Sequence, residues 1–261
     1  MKIAVLYICT GKYRVFWDDF YKSCEKFFLQ GYAKHYFIFT DATDIMQDNN
    51  ITVIPKGCYG FPLDSLFRFD MFLEIEDKVA EFDYCFFFNA NMLFVDKVDS
   101  EIFPYENYKG IICVTHPRGY KYRNYPSLFT YERNKQSLAY VPKERKKYNY
   151  FMGGFNGGSI QEYYGLVKTC SKNIHADYSR GLIAVFHDES HLNKYCCDHS
   201  KLIYTLPVSY GFPENATFPF QPKVIIRDKT VFSEYFDKHS DESILKKIKR
   251  YLLVFYRGLT W

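Results

Sequence analysis

The sequence predicts an α/β fold with a mainly parallel, doubly wound sheet flanked by helices. Short, continuous apolar runs recur along the first half of the chain, which is typical of strands buried on both faces. Segments with apolar residues at helical spacing separate these runs. The resulting order, strand–helix–strand–helix–strand, favours right-handed crossovers and parallel strands.

Each element rests on its own pattern. The predicted strands are Ile3–Cys9, His35–Thr40, Tyr84–Phe88 and Ile111–Thr115. The predicted helices cover residues 18–32, 64–82 and 161–173, followed by a short helix that ends near Cys197. Residues 118–150 are polar and aromatic and predict long loops.

Polar residues follow the predicted strands at the points where these end. They are Thr10, Asp41, Asn89, Asn91 and His116. The carboxyl ends of parallel strands meet at one edge of a sheet, where ligands bind in such folds. We therefore expect a binding site at this edge.

Composition excludes several classes of protein. A content of 48% hydrophobic and 25% charged residues is that of a soluble globular domain, and a net charge of +4 is too small to indicate nucleic-acid binding. The eight cysteines form no CxxC pair and predict reduced thiols without a metal site. No signal peptide and no apolar run of membrane-spanning length are found, which predicts a cytoplasmic protein. The many Tyr and Phe residues fit either compositional bias or a sugar-stacking surface.

Two further segments carry weak signals when each is taken alone. Residues 151–158 contain four glycines, which allow close approach to a ligand but also fit plain turns. The segment lacks the spacing of a phosphate-binding loop. Residues 187–191, HDESH, lack HExxH spacing and fit helix caps as well as chemistry.

Together, these segments resemble glycosyltransferase family 6, the family of the histo-blood-group A and B transferases and the α1,3-galactosyltransferase. The matching segments are FTYERNKQSLAYVPK (Phe129–Lys143), FMGGFNGGSIQE (Phe151–Glu162), HDESHLNKY (His187–Tyr195) and YFIFTD (Tyr36–Asp41). The resemblance covers roughly residues 1–230. It implies a GT-A fold and retaining α1,3-transfer of galactose or N-acetylgalactosamine from a UDP donor to a galactose-terminated glycan, with or without fucose.

The resemblance also implies roles for individual residues. Those implied for the donor are Tyr7, Ile8, Cys9 and Tyr13 at the uridine, Arg68 at the sugar, and Met152, Gly153 and Gly154 at its C2 substituent. Those implied for the acceptor are His116, Thr130 and Glu189. Asp188 and Glu189 match the acidic pair at the reacting carbon. A glutamate there can act as the nucleophile or stabilise an oxocarbenium-like state.

One motif departs from the mammalian members. Asn89-Ala90-Asn91 stands at their Asp-x-Asp position, and neutral amides are poor ligands for a divalent cation. Bacterial members share this form, which implies that no Mn²⁺ or other cofactor is needed and that UDP-sugar is a substrate only. Arg227 and Lys229 are then expected to offset the diphosphate charge, the alternative being a solvated basic segment.

The chain end lies outside the resemblance. We predict a transferase domain over residues 1–235 and a basic amphipathic tail over residues 236–261. The helical pattern within 240–261 fits an anionic membrane surface, and equally a helix packed on the domain. If the helix binds an anionic membrane surface, the protein lies peripherally on the inner face of a bacterial membrane.

Two positions bear on the choice of donor sugar, and they favour different sugars. In the family, glycine at Gly154 favours N-acetylgalactosamine and methionine at Met152 favours galactose. Methionine can move aside, so we expect UDP-GalNAc as the better donor. The alternatives to a transferase are an inactive sugar-binding protein and a UDP-sugar hydrolase.

Overall fold

The computed structural model describes residues 1–46, 48–143, 148–236 and 244–259. Its strands are β1 Lys2–Ile8, β2 Ala33–Thr40, β3 Ile51–Pro55, β4 Tyr84–Asn89, β5 Met92–Phe94, β6 Ile111–Thr115, β7 Phe151–Ser159, β8 Ile203–Leu206, β9 Phe212–Pro213 and β10 Val224–Ile226. Its α-helices are α1 Trp17–Phe27, α2 Leu63–Leu66, α3 Arg68–Leu73, α4 Glu76–Val79, α5 Pro117–Lys121, α6 Ile160–Tyr178, α7 His187–Asp198 and α8 Ile244–Leu259.

The main sheet has seven strands in the order β3-β2-β1-β4-β7-β6-β8. Neighbours pair in parallel except at β7, which runs antiparallel to both β4 and β6. A second sheet of three strands has the order β5-β10-β9. The predicted fold class, a mainly parallel Rossmann-like sheet flanked by helices, is confirmed.

Apolar side chains fill both faces of the main sheet. On one face, Phe20 and Phe28 from the α1 region pack against Phe88 of β4. On the other, α3, α6 and α7 bury residues such as Phe72 and Leu192. Strands covered on both faces read as continuous apolar runs, which is why the four predicted strands were found.

Two predicted helices have different bounds. The first ends at Phe27 rather than near residue 32, because Leu29 and Gly31 have left-handed backbones with φ of 44° and 87°. The single helix predicted over 64–82 is three short helices, α2, α3 and α4. The helix predicted over 161–173 is longer, since α6 continues to Tyr178.

The glycine-rich segment is neither a loop nor a set of turns, but the buried strand β7. Its later glycines are needed for packing. A Cβ on Gly157 would lie 2.4 Å from the Cys85 carbonyl oxygen, and one on Gly158 would lie 2.3 Å from the Gly110 carbonyl oxygen. The sequence pattern missed this strand because glycine has low strand propensity.

The C-terminal helix α8 packs on the domain beside residues 126–128. Of the predicted tail, residues 237–243 and 260–261 lie outside the described residues. Across the described part of the chain, no helix is both long and apolar enough to cross a membrane.

Candidate active site

A cavity of about 380 Å³ opens at the carboxyl edge of the parallel strands. Ile8 and Asn89, the last residues of β1 and β4, line it. Gly153 and Gly154 line it as well, because β7 runs in the opposite direction and begins at this edge. The expected binding edge is therefore the place where the structure forms its cavity.

The acidic pair begins α7 at the cavity wall. His187 has a left-handed backbone with φ of 47°, which is uncommon for a residue with a side chain. Asp188 and Glu189 follow in the first turn of the helix and both line the cavity. Backbone of this kind is often found at functional sites.

Asp188 is buried and lies opposite a buried cation. Its Oδ2 is 3.0 Å from Nη2 of Arg68. Burial raises the pKa of Asp188 to about 6, although Arg68 acts to lower it. The Asp188 carboxyl group is thus ionised only toward neutral pH.

Arg68 is held from several sides. Nη1 donates a hydrogen bond of 2.7 Å to the Gly153 carbonyl oxygen, and the guanidinium lies 4.7 Å from the centre of the Phe87 ring. Its Nε and Nη2 have no hydrogen-bond partner within the described residues, so the contact with Asp188 is an ion pair without hydrogen-bond geometry. These donors leave Arg68 with unused hydrogen-bonding capacity at the cavity wall.

Glu189 is fixed through both carboxylate oxygens. Oε1 accepts a hydrogen bond of 2.6 Å from the Tyr150 hydroxyl, and Oε2 accepts one of 2.7 Å from the Gly153 backbone N–H. Burial raises the pKa of Tyr150 well above its usual value, so the hydroxyl remains a donor. The side chain of Asn193 also accepts from Phe151 N at 2.8 Å, which ties α7 to the start of β7.

Tyr150 is a site residue that sequence reasoning missed. It lies at the end of the stretch interpreted as long loops, and its only signal was its place directly before the glycine-rich segment. His116 lies beside it, with 2.9 Å between His116 N and Tyr150 O and 5.3 Å between the ring centres. Thr130 is buried, and its side chain lies close enough to Tyr150 to influence the pKa of that hydroxyl. Two of the three residues predicted for the acceptor, His116 and Thr130, thus lie beside the tyrosine that holds the third, Glu189.

His116 and Thr130 themselves do not line the cavity. Burial lowers the pKa of His116, and its Nδ1 accepts a hydrogen bond of 2.9 Å from Arg118 N. The ring is therefore neutral near pH 7. His116 is therefore a structural neighbour of Tyr150.

Of the residues assigned to the uridine, Ile8 and Tyr13 line the cavity, whereas Tyr7 and Cys9 lie behind it. The Tyr7 hydroxyl donates to the Ala90 carbonyl oxygen at 2.8 Å. Burial raises the pKa of Cys9 to about 12, which leaves the thiol unreactive.

Of the two basic residues predicted to offset the diphosphate charge, only one lies at the cavity. Lys229 lines the cavity, and its Nζ donates to the Tyr13 hydroxyl at 2.7 Å. Arg227 does not line the cavity: it pairs with Asp19 at 2.7 Å and lies over the Phe232 ring. Lys12 and Arg250, which were not among the predicted site residues, also line the cavity.

The two asparagines have different surroundings. Asn89 is exposed at the cavity. Asn91 is buried, and its Nδ2 donates to the Arg227 carbonyl oxygen at 2.9 Å while Arg227 N donates to Asn91 O at 2.8 Å. Asn91 therefore fastens the basic segment to the end of β4. Within residues 1–46, 48–143, 148–236 and 244–259, no group of three or more His, Cys, Asp or Glu side chains could hold a metal ion.

Met152 lies beneath the cavity rather than in its wall. A Cβ on Gly211 would lie 2.1 Å from the Met152 sulfur, so the side chain fills the space that Gly211 leaves. On Gly154, a Cβ would lie 3.0 Å from Met152 Cε and 2.9 Å from Asn89 Nδ2. The space at Gly154 is thus bounded by both side chains.

A Rossmann-like sheet with basic side chains and a fixed acidic pair at its carboxyl edge is an arrangement suited to a nucleotide-sugar glycosyltransferase. The family model described as glycosyltransferase family 6 matches residues 1–212, and the chain belongs to this family.

Its relatives include bacterial and vertebrate enzymes. The chain is similar to the O-antigen biosynthesis glycosyltransferase WbnI of Escherichia coli, at 37% identity over 90% of this chain and 98% of the relative. It is also similar to histo-blood group ABO system transferase 1 of Rattus norvegicus, at 34% identity over 81% of this chain. A third relative is globoside alpha-1,3-N-acetylgalactosaminyltransferase 1 of Gallus gallus, at 31% identity over 78% of this chain. The chain spans 60% of the length of each of these two vertebrate relatives.

Proposed function

We propose that this glycosyltransferase moves N-acetylgalactosamine, and less efficiently galactose, from UDP to a galactose-terminated glycan by retaining α1,3-transfer. The observation that carries the proposal is the geometry of Glu189, whose two oxygens are fixed by Tyr150 and Gly153 at the cavity wall. A carboxylate held in place before reaction stabilises developing positive charge without reorganisation.

In the proposed reaction, the bond between the anomeric carbon and the β-phosphate oxygen breaks. The acceptor hydroxyl oxygen forms the new bond, and its proton passes to the departing phosphate. Glu189 either attacks the anomeric carbon to give a covalent intermediate or stabilises the oxocarbenium-like state. Arg68 Nη2 lies 3.0 Å from Asp188 Oδ2, and Nη1 donates to the Gly153 carbonyl oxygen. In the proposed complex, Arg68 lies next to the sugar and donates hydrogen bonds to it.

The leaving diphosphate needs positive charge. Lys229, Lys12 and Arg250 line the cavity and are the candidates to supply it. The donor set at the end of β4 consists of neutral amides, and Asn91 uses its amide nitrogen to hold Arg227 O. Such a set suits a divalent cation poorly. We therefore propose catalysis without a metal or other cofactor.

The test is release of UDP from UDP-GalNAc and UDP-Gal, with and without galactoside acceptors. A transferase releases UDP faster with an acceptor and forms a new glycoside. Equal release without an acceptor indicates a UDP-sugar hydrolase, and no release indicates an inactive sugar-binding protein. Either result overturns the proposal.

We also propose a peripheral position on the inner face of a bacterial membrane, with the protein otherwise in the cytoplasm. The support is the basic, amphipathic character of α8 in the 240–261 tail. The relative WbnI is named for O-antigen biosynthesis, which fits a glycan acceptor.

A further inference from the structure

Among the described residues, helix α8 contacts the domain through the side that carries Val254, Arg257 and Gly258. Val254 is buried there, and a Cβ on Gly258 would lie 2.4 Å from the Ser127 carbonyl oxygen, so the helix lies very close to residues 126–128. Arg257 Nη1 lies 2.9 Å from Oε1 of Glu132, whose side chain is 3% exposed. These contacts decide which side of the helix faces the domain.

Glu132 is a rigid anchor for this contact. Its Oε1 also accepts a hydrogen bond of 2.7 Å from Asn134 N, and its Oε2 accepts one of 2.7 Å from Val185 N. A buried carboxylate with partners on both oxygens has little freedom to move. The rotation of α8 about its own axis is therefore fixed through Arg257.

The opposite side of α8 presents an apolar stripe. Its members recur every three or four positions, are 50–78% exposed, and are Leu245, Ile248, Leu252, Phe255 and Leu259. Single exposed apolar residues are ordinary, but a continuous row of them marks an interaction surface. The apolar stripe faces outward because Arg257 pairs with Glu132 on the opposite side of the helix, which packs on the domain.

The charge of α8 identifies the partner. The helix sequence, ILKKIKRYLLVFYRGL, has five Lys and Arg residues and no Asp or Glu; Arg257 is paired with Glu132, and the other four give the helix its net positive charge. Two copies of such a helix would repel each other, whereas an anionic lipid surface would attract it. We propose that the apolar stripe of α8 docks on an anionic membrane, with the helix lying in the plane of the interface.

The same helix borders the cavity. Arg250 lines the cavity and lies 5.0 Å from the centre of the Phe186 ring. Phe186 directly precedes the residues that begin α7, including Asp188 and Glu189. Arg250 and Leu252 are two positions apart and therefore lie on opposite sides of α8, so docking through the stripe places the cavity about one helix diameter, roughly 10 Å, from the bilayer. Resting on the proposed function, we infer that the acceptor is a glycan anchored in the membrane by a lipid.

The test is co-sedimentation of the full chain with phosphatidylcholine vesicles, with and without phosphatidylglycerol. The double variant Leu252→Glu/Phe255→Glu places charges in the stripe. Tyr105→Glu is the matched control, since Tyr105 is 63% exposed and lies outside α8. We expect salt-sensitive binding to the anionic vesicles, a loss of about tenfold or more in the double variant, and no change in the control.

Two results would overturn the docking proposal. One is equal sedimentation of the wild-type chain and the double variant. The other is a wild-type dimer, measured by light scattering, that the double variant dissociates while neither protein binds vesicles, because the stripe would then pair with a second copy.

The acceptor class needs a separate measurement. Turnover is compared on one glycan in water-soluble form and in lipid-anchored form. We expect the double variant to lose about tenfold only on the lipid-anchored form, while equal turnover on both forms refutes a membrane-bound acceptor. Stripe-dependent vesicle binding without transfer to any acceptor would support docking and reject the proposed function alone.

Discussion

The substitution Gly154→Ala tests how the cavity selects its donor. An added Cβ would lie 2.9 Å from Asn89 Nδ2 and 3.0 Å from Met152 Cε, so at least one side chain must move. Met152 is 5% exposed and already fills the space beside Gly211, whereas Asn89 is exposed at the cavity. We therefore expect Asn89 to move into the cavity and reduce the room for the acetamido group.

The expected effect is a change in donor preference. A pocket discriminates a small group by about 1–3 kcal/mol, or roughly 5- to 150-fold. The ratio of kcat/KM for UDP-GalNAc to that for UDP-Gal should fall by this factor in Gly154→Ala. The measurement is initial rates with each donor and one fucosylated galactoside acceptor.

Gly165→Ala is the matched control. A Cβ at Gly165, in α6, meets only the Tyr195 hydroxyl oxygen at 3.7 Å, which is an ordinary contact. The control should keep the wild-type donor ratio. A wild-type preference for UDP-Gal, with no further shift toward it in Gly154→Ala, would refute the reasoning.

Four more outcomes are expected. Glu189→Gln should lower kcat by about 10²-fold or more with donor affinity retained, measured by steady-state rates and UDP-sugar titration, since its charge acts in the transition state. Initial rates should be the same in excess EDTA and in added Mn²⁺, and a rate that is lost in EDTA and restored by Mn²⁺ refutes metal independence. Lys229→Ala should raise KM for the donor or lower kcat, whereas Lys223→Ala, whose lysine pairs with Glu101 away from the cavity, should do neither. Burial raises the pKa of Asp188 to about 6, so the folded state holds the carboxyl proton more tightly than the unfolded state. The free energy of unfolding of the wild type, relative to that of Asp188→Asn, should therefore fall as pH rises from about 4 to 6, and chemical denaturation at several pH values measures this difference.

The sequence by itself determined the fold class and the family. Strands buried on both faces produce continuous apolar runs, so β1, β2, β4 and β6 could be predicted from local pattern alone. Their order along the chain fixed a mainly parallel sheet and placed its ligand site at the carboxyl edge. The segments Phe151–Glu162 and His187–Tyr195 determined the family through their resemblance to its members.

Only the tertiary structure decided how the site residues meet. The bond between Arg68 and Gly153 joins positions 85 residues apart, and that between Asn91 and Arg227 joins positions 136 residues apart. Hydrophobic periodicity describes neighbours within an element and carries no information about such pairs. For the same reason the sequence placed Arg227 beside Lys229 in one basic segment, while the fold turned Arg227 toward Asp19.

The C-terminal helix shows the same limit. Its composition revealed an amphipathic, basic helix and left open whether it packs on the domain or meets a membrane. The contact between Arg257 and the buried Glu132 decided which side packs inward. Helix α8 has apolar residues on more than one side, and among the described residues only the side with Val254 packs on the domain. The fold therefore decided that the row from Leu245 to Leu259 faces outward.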